Sequence, residues 1–170
     1  MQRHGWTLLF HEGLIEQLRR LQAAAERAEQ SDPGGFEANA NVKLFRAVSR
    51  LILEVVPSDP SRDEYRQGNT LGPAHRHWRR AKIGRRFRLF FRYDAKARAI
   101  VFAWINDEQT LRSAGSKSDP YAVFEKMLRR GNPPDDWAAL MAASKADWQA
   151  SAKRRRQHEV ERAMGTAPGR

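Results

Sequence analysis

The stretch Trp78–Asp94, WRRAKIGRRFRLFFRYD, decides how the rest of this sequence is read. From Arg76 to Arg92 it carries eight Lys or Arg and no Asp or Glu. A segment this basic does not belong in a core, and one this apolar does not belong on a surface. Two strands around a turn at Gly84-Arg85 resolve the conflict, because side chains alternate across a strand. Over Arg86–Tyr93, one face then carries Phe87, Leu89, Phe91 and Tyr93. The other carries Arg86, Arg88, Phe90 and Arg92. The first face is expected to pack on helices and the second to face a ligand. Guanidinium forks match phosphate oxygens and an aromatic ring stacks on an unpaired base. This gives an RNA-binding set of Arg79, Arg86, Phe90, Arg92 and, further on, Lys117. The plainer alternative is an outer sheet face whose arginines are only solvated or paired with acids of the next strand.

Composition agrees with a polyanionic partner. The chain has 170 residues, a net charge of +11 and a pI near 10.8, with 41% apolar residues. Those values fit one domain with a modest core and a polyanion-binding surface. There are no cysteines, which removes disulfides and thiolate metal sites. His75 and His77 lie two apart with no carboxylate beside them in sequence, so no metal site is expected. No apolar run approaches the roughly 18 residues of a membrane span, and MQRHGWTLLFHEG has no signal-peptide core. A soluble cytoplasmic protein without cofactor is the expectation.

Outward from the basic hairpin, Trp6–Phe10 is a short apolar strand bounded by glycines. Leu14, Ile15, Leu18, Leu21, Ala25 and Ala28 recur at three and four residues and predict a helix over Glu12–Glu29. Val42, Leu44, Phe45, Val48, Leu51, Ile52 and Val55 predict a second, ended by Pro57. Asp94–Ala97 is a hairpin connection into Ile100–Ile105, the most β-prone run of the chain. Asp119 and Pro120 read as the cap and first residue of a helix stopped at Gly131, and a last helix starts near Asp135. The order β-α-α-β-β-β-α-α predicts an α+β fold with a small antiparallel sheet. The expected domain is 1–144, followed by a basic C-terminal helix or tail, 145–170, running into disorder and including Lys153–Arg156.

A second group of polar residues follows the last strand: Asn106, Asp107, Glu108, Arg112, then Lys117 and Tyr121. Metal-free RNA cleavage needs a base for the 2′-hydroxyl, a cation for the phosphorane and an acid for the leaving oxygen. Asp107 or Glu108 is a candidate base. Arg88, Lys82 or Arg112 is a candidate phosphate holder, and Tyr121 or a lysine a candidate acid. The alternative is that Asp107 and Glu108 are loop caps or partners of Arg112, and that Tyr121 belongs to the core.

The runs KIGRRFRLFFRYD (Lys82–Asp94) and AWINDEQTLRSAGSKSDPYAVFEKMLRRGNPPDDW (Ala103–Trp137) resemble the YhaV family of type II toxin–antitoxin toxins. GWTLLFH (Gly5–His11) and GNTLGPAHRHWRRAKIG (Gly68–Gly84) support the match, which spans about residues 5–140. The resemblance implies a RelE/ParE-like fold and a ribonuclease toxin that cleaves mRNA, alone or at the ribosome, and arrests growth. It also implies a PrlF-like antitoxin and a complex that represses its own operon through operator DNA. Acidic antitoxin residues would meet Arg86, Arg88 or Arg92, or the C-terminal helix region would be moved. By the same resemblance Arg88 is the strand arginine holding the scissile phosphate, with Lys82 and Arg85 as further basic residues. Where RelE-like toxins place a basic residue after the fourth strand, this chain has Asn106-Asp107-Glu108, with Arg112 following, which leaves the base open between Asp107, Glu108 and a basic residue. A ParE-like relative acts on a protein target, so a non-catalytic basic module of the same fold is the competing reading, and an RNA-binding accessory protein a third.

Overall fold

The computed structural model describes residues 1–146 and Trp148. In chain order the main elements are β1 (Gln2–Arg3), β2 (Trp6–His11), α1 (Glu12–Ser31), α2 (Ala40–Arg50) and the short α3 (Val56–Ser58). They continue as β3 (Arg79–Ile83), β4 (Phe87–Asp94), β5 (Ala99–Ile105), α4 (Pro120–Arg129), α5 (Trp137–Ala142) and β6 (Ser144–Lys145). The α+β order expected from the sequence holds, with β1 and β6 as two additional short strands. The basic tail at Lys153–Arg156 lies outside the described residues, and β6 carries the sheet one residue past position 144.

Strands run β1-β2-β5-β4-β3, with β6 also on β2. β3, β4 and β5 form the expected antiparallel meander, with Lys82 opposite Arg88 and Arg80 opposite Phe90. The sheet is mixed rather than purely antiparallel, because β2 pairs parallel to β5, with Leu8 opposite Ile100. The crossover through α1 and α2 brings the chain to the far edge at β3, and the meander then returns β5 in the direction of β2.

Local chemistry fixes the elements. Gly84 has φ +58°, which lets the β3–β4 turn close in the left-handed region. At the next hairpin Ala97 N donates to Asp94 Oδ1 at 2.7 Å. Helix α2 widens into π-helical turns over Leu51–Val55, and the helical path continues through Pro57 to Ser58 instead of stopping before it. Ser58 Oγ donates to Val55 O at 2.7 Å there, satisfying a carbonyl of the last helical turn. Helix α4 ends in a Schellman motif around Gly131 (φ +78°): Gly131 N donates to Leu128 O and Asn132 N to Met127 O.

Two apolar clusters lie on opposite sides of the sheet. Leu14, Ile15 and Leu18 of α1, and Val48 and Ile52 of the second helix, pack on Leu8, Phe10, Leu89, Phe91, Ile100 and Phe102. On the other side, Tyr121, Phe124, Leu128 and Leu140 pack on Phe90, Val101, Ala103 and Trp104, with Trp78 and Leu71. A bulge opposite Phe90 and Phe91 turns both Ala103 and Trp104 to this second side. The expectation of one open face is therefore overturned. Phe90 is fully buried, stacked on Phe124 with ring centroids 4.3 Å apart, and so is not a base-stacking platform.

The cap of α1 is titratable. His11 Nδ1 accepts from Gly13 N at 3.3 Å, and burial of the ring holds its pKa below the ordinary 6.5, against the nearby Glu12 charge. A histidine with a depressed folded pKa costs nothing above pH 6.5 and destabilises the fold as pH falls below it. Thermal melts from pH 7.5 down to 5 should show this loss in the wild type. His11→Asn keeps a capping oxygen and should flatten that part of the profile. Equal pH slopes for the two proteins would remove His11 from the account.

Candidate active site

The side of the sheet that carries α4 holds a cluster of basic groups around one phenol. On β3, Arg80 and Lys82 alternate with Ala81, which points into the α1–α2 core, so both basic residues share the α4 side with their cross-strand neighbour Arg88. Asp119 caps α4 by accepting from Tyr121 N at 3.2 Å and also accepts from Ser113 N at 2.9 Å. Its buried carboxylate takes a further hydrogen bond from Arg112 Nη1. That cap fixes Tyr121 in the first turn of α4, with its ring against Phe90 at 5.6 Å.

The Tyr121 hydroxyl accepts from Arg80 Nε at 2.9 Å and from Arg88 Nε at 3.2 Å. The Arg112 guanidinium lies over the same ring, 5.0 Å from its centroid. Three arginines thus converge on one phenol, and Lys82 stands exposed beside them. No carboxylate joins Arg80 or Arg88 in an ion pair among the described residues. Arg88 is 6% exposed, and its Nη1 also donates to Phe87 O at 2.8 Å and to Arg85 O at 3.3 Å. It therefore ties the β3–β4 turn together as well as meeting Tyr121.

The candidate residues divide between the two sides. Lys82, Arg88, Arg112 and Tyr121 come together, and Arg80, absent from the expected set, joins them. The period-two partnership with Lys82 was the signal that could have found it. Arg85 and Arg86 are exposed on the turn, and Lys117 on the loop before α4. Asp107 and Glu108 line a cavity of about 250 Å³ on the α1–α2 side, with Gln17, Arg20, Leu44 and Phe87. Asp107 Oδ1 is occupied as a turn cap by Gln109 N and Thr110 Oγ1, both at 2.9 Å. The chain divides at Asn106, which is 2% exposed. Its side chain accepts from Arg88 N at 2.6 Å and donates to Arg86 O and Thr110 O, each at 2.8 Å.

Arg79 and Arg92, of the expected RNA-binding set, stand apart from the Tyr121 cluster. Arg79 lies over Tyr93 at 5.7 Å on the α1–α2 side. Arg92 is held between Trp78 and Trp137, at 5.6 and 5.4 Å, and donates to the carbonyl of Asp135. Burial lowers its pKa, opposed by the charges of Asp135, Asp136 and Asp94. Asp135 itself accepts from Trp78 Nε1 and contacts His77 Nε2, both at 2.7 Å. Burial alone would raise its pKa, but those hydrogen bonds and the charges of His77 and His75 hold it below the ordinary carboxylate value.

Among the described residues no helix is long and apolar enough to cross a membrane. No solved structure matches the chain. The YhaV toxin family, described as a toxin with endonuclease activity, of toxin-antitoxin system, matches residues 8–145. A ribonuclease toxin YhaV of Escherichia coli strain K12 is 42% identical over 139 residues, covering 81% of this chain and 90% of the relative. Toxin YhaV of strain O157:H7 matches with the same identity and coverage. By profile and by identity alike, the chain belongs to the YhaV family of toxins with endonuclease activity, of toxin–antitoxin systems, and so has an antitoxin as partner.

Proposed function

We propose that this protein is a metal-independent endoribonuclease that cleaves mRNA at the Arg80–Arg88–Arg112–Tyr121 cluster. The observation that carries the reading is the single hydroxyl of Tyr121 held by two guanidinium groups under a third. In the reaction the substrate 2′-oxygen bonds to phosphorus and the P–O5′ bond breaks, leaving a 2′,3′-cyclic phosphate and a 5′-hydroxyl. In this reading Arg80, Arg112 and Lys82 neutralise the phosphorane, where preorganised cations act most strongly. In this reading Tyr121, 5% exposed with its ring in the apolar cluster, carries the proton between attacking and leaving oxygens through its hydroxyl. Arg88 holds Tyr121 and the turn in position and lends its charge from beneath. Asp107 and Glu108, on the far side of Asn106, are not needed as the base.

The substrate follows from basic charge without an open aromatic platform: single-stranded mRNA, free or within the ribosome, bound mainly through phosphates. A PrlF-like antitoxin would neutralise the toxin by setting acidic side chains on Lys82, Arg85 and Arg86. Arg88 is buried and Arg92 half-buried, so the exposed basic groups would meet it first. Operator DNA would be reached through the antitoxin, and the complex would work in the cytoplasm.

The test uses antitoxin-free protein, single-stranded RNA and EDTA. Cleavage leaving 2′,3′-cyclic phosphate ends is expected, lowered about 10²–10³-fold by Arg80→Ala and little changed by Glu108→Gln. RNA retained without new ends would leave the non-catalytic binding module. Loss of cleavage in Glu108→Gln with Arg80→Ala active would return the base to the carboxylate loop.

A further inference from the structure

Outside the basic cluster, His75, His77 and Asp135 form a second constellation with its own chemistry. The chain enters β3 through a 3-10 turn at Pro73–His75. That turn brings the two imidazoles to the linker between α4 and α5, where Asp135 lies. His75 Nδ1 is 3.3 Å and His77 Nε2 2.7 Å from one oxygen, Asp135 Oδ1. The ligand-capable atoms of all three residues lie within 4.8 Å of one another.

Two imidazoles and a carboxylate are a zinc-type donor set, which normally leaves a fourth position for water. At bond lengths of about 2.0–2.1 Å, tetrahedral ligand atoms stand roughly 3.3 Å apart. His75 already meets that spacing. His77 lies closer to Asp135 than that spacing, and its exposed ring is free to move to it. The Trp78 indole N–H donates to Asp135 Oδ1 at 2.7 Å and orients the carboxylate as an outer partner would. Arg92 is the opposing charge, but its guanidinium is engaged by the Asp135 backbone carbonyl and by two indole faces.

We propose that His75, His77 and Asp135 bind one divalent transition-metal ion of the zinc type, which clips the entry of β3 to the α4–α5 linker. The site shares no residue with the RNA cluster and does not depend on the reading of that cluster. The ion would fasten the layer that covers Phe90, Trp104 and Trp78.

The experiment uses untagged full-length protein, stripped with EDTA, returned to EDTA-free buffer and titrated calorimetrically with zinc chloride. One ion per chain is expected, with a higher melting midpoint in its presence. Substitution by cobalt(II) should give the visible absorption of a low-coordinate site. His77→Gln, a change at an exposed ring, should keep the native circular dichroism and weaken binding by about tenfold or more. His75→Gln should do the same, whereas His4→Gln should bind as the wild type does. Binding that survives both substitutions, or that disappears in His4→Gln, overturns the proposal, as does failure of the wild type to bind. RNA cleavage in EDTA is read in parallel and reports on the other cluster alone.

Discussion

Tyr121→Phe is expected to lower RNA cleavage by about 10²–10³-fold while leaving RNA binding near the wild-type level. The substitution keeps the ring that packs on Phe90 and beneath Arg112 and removes only the oxygen that Arg80 and Arg88 address. Two guanidinium N–H groups lose an acceptor, at a cost of about 1–3 kcal/mol. A chain of this size then loses roughly 2–12 °C of melting midpoint and stays folded at assay temperature. The diagnostic is the division between parameters: kcat falls and KM holds, because the phosphate-binding charges remain. A variant that cleaves within about threefold of the wild type would show the hydroxyl to be a packing accessory. Arg88→Ala is a poorer probe, because it also unties the carbonyls of Arg85 and Phe87.

Phe90→Ala is expected to have the largest effect on stability, about 3–5 kcal/mol. The ring is fully buried and touches Phe124 at 4.3 Å, Tyr121 at 5.6 Å and Trp104 at 5.9 Å, so truncation opens a void with several aromatic walls. Domains of this kind are stable by roughly 5–15 kcal/mol, so about a fifth or more of the total is at stake. Urea unfolding checks it: the midpoint should fall sharply with little change in slope. A base-stacking phenylalanine would behave oppositely, with an unchanged midpoint and weakened RNA binding.

That contrast marks where the sequence was legible and where it was not. The turns at Gly84 and Asp94, the Asp119 cap and the Gly131 stop are short-range chemistry, and each stands where the residues place it. The alternation along Phe87–Tyr93 was also read correctly as an alternation. Which side is open is a long-range property, settled by α4 folding back across the sheet. Two signals pointed to it. Ile100–Ile105 is apolar without interruption, as a strand covered on both faces must be. Tyr121, Phe124 and Leu128 form a helical stripe that required a partner surface. The separation of Asp107 and Glu108 from Arg88 depends on the buried amide of Asn106, and adjacency in sequence gave no hint of it. Asp135 lies far along the chain from His75 and His77, which is why no carboxylate was expected beside them.

The short strands β1 and β6 both lie on β2, paired at Arg3–Trp6 and at Phe10–Lys145. Between them they occupy the hydrogen-bonding edge of β2 that would otherwise template another chain. At the opposite margin, among the described residues, β3 pairs outward only through a bridge from Arg66 to Arg79. Recruitment of a foreign strand, whether in regulated assembly or in misassembly at high concentration, is thereby steered to β3. There Arg80 and Lys82 would make an acidic strand the preferred recruit and would repel a second copy of this one.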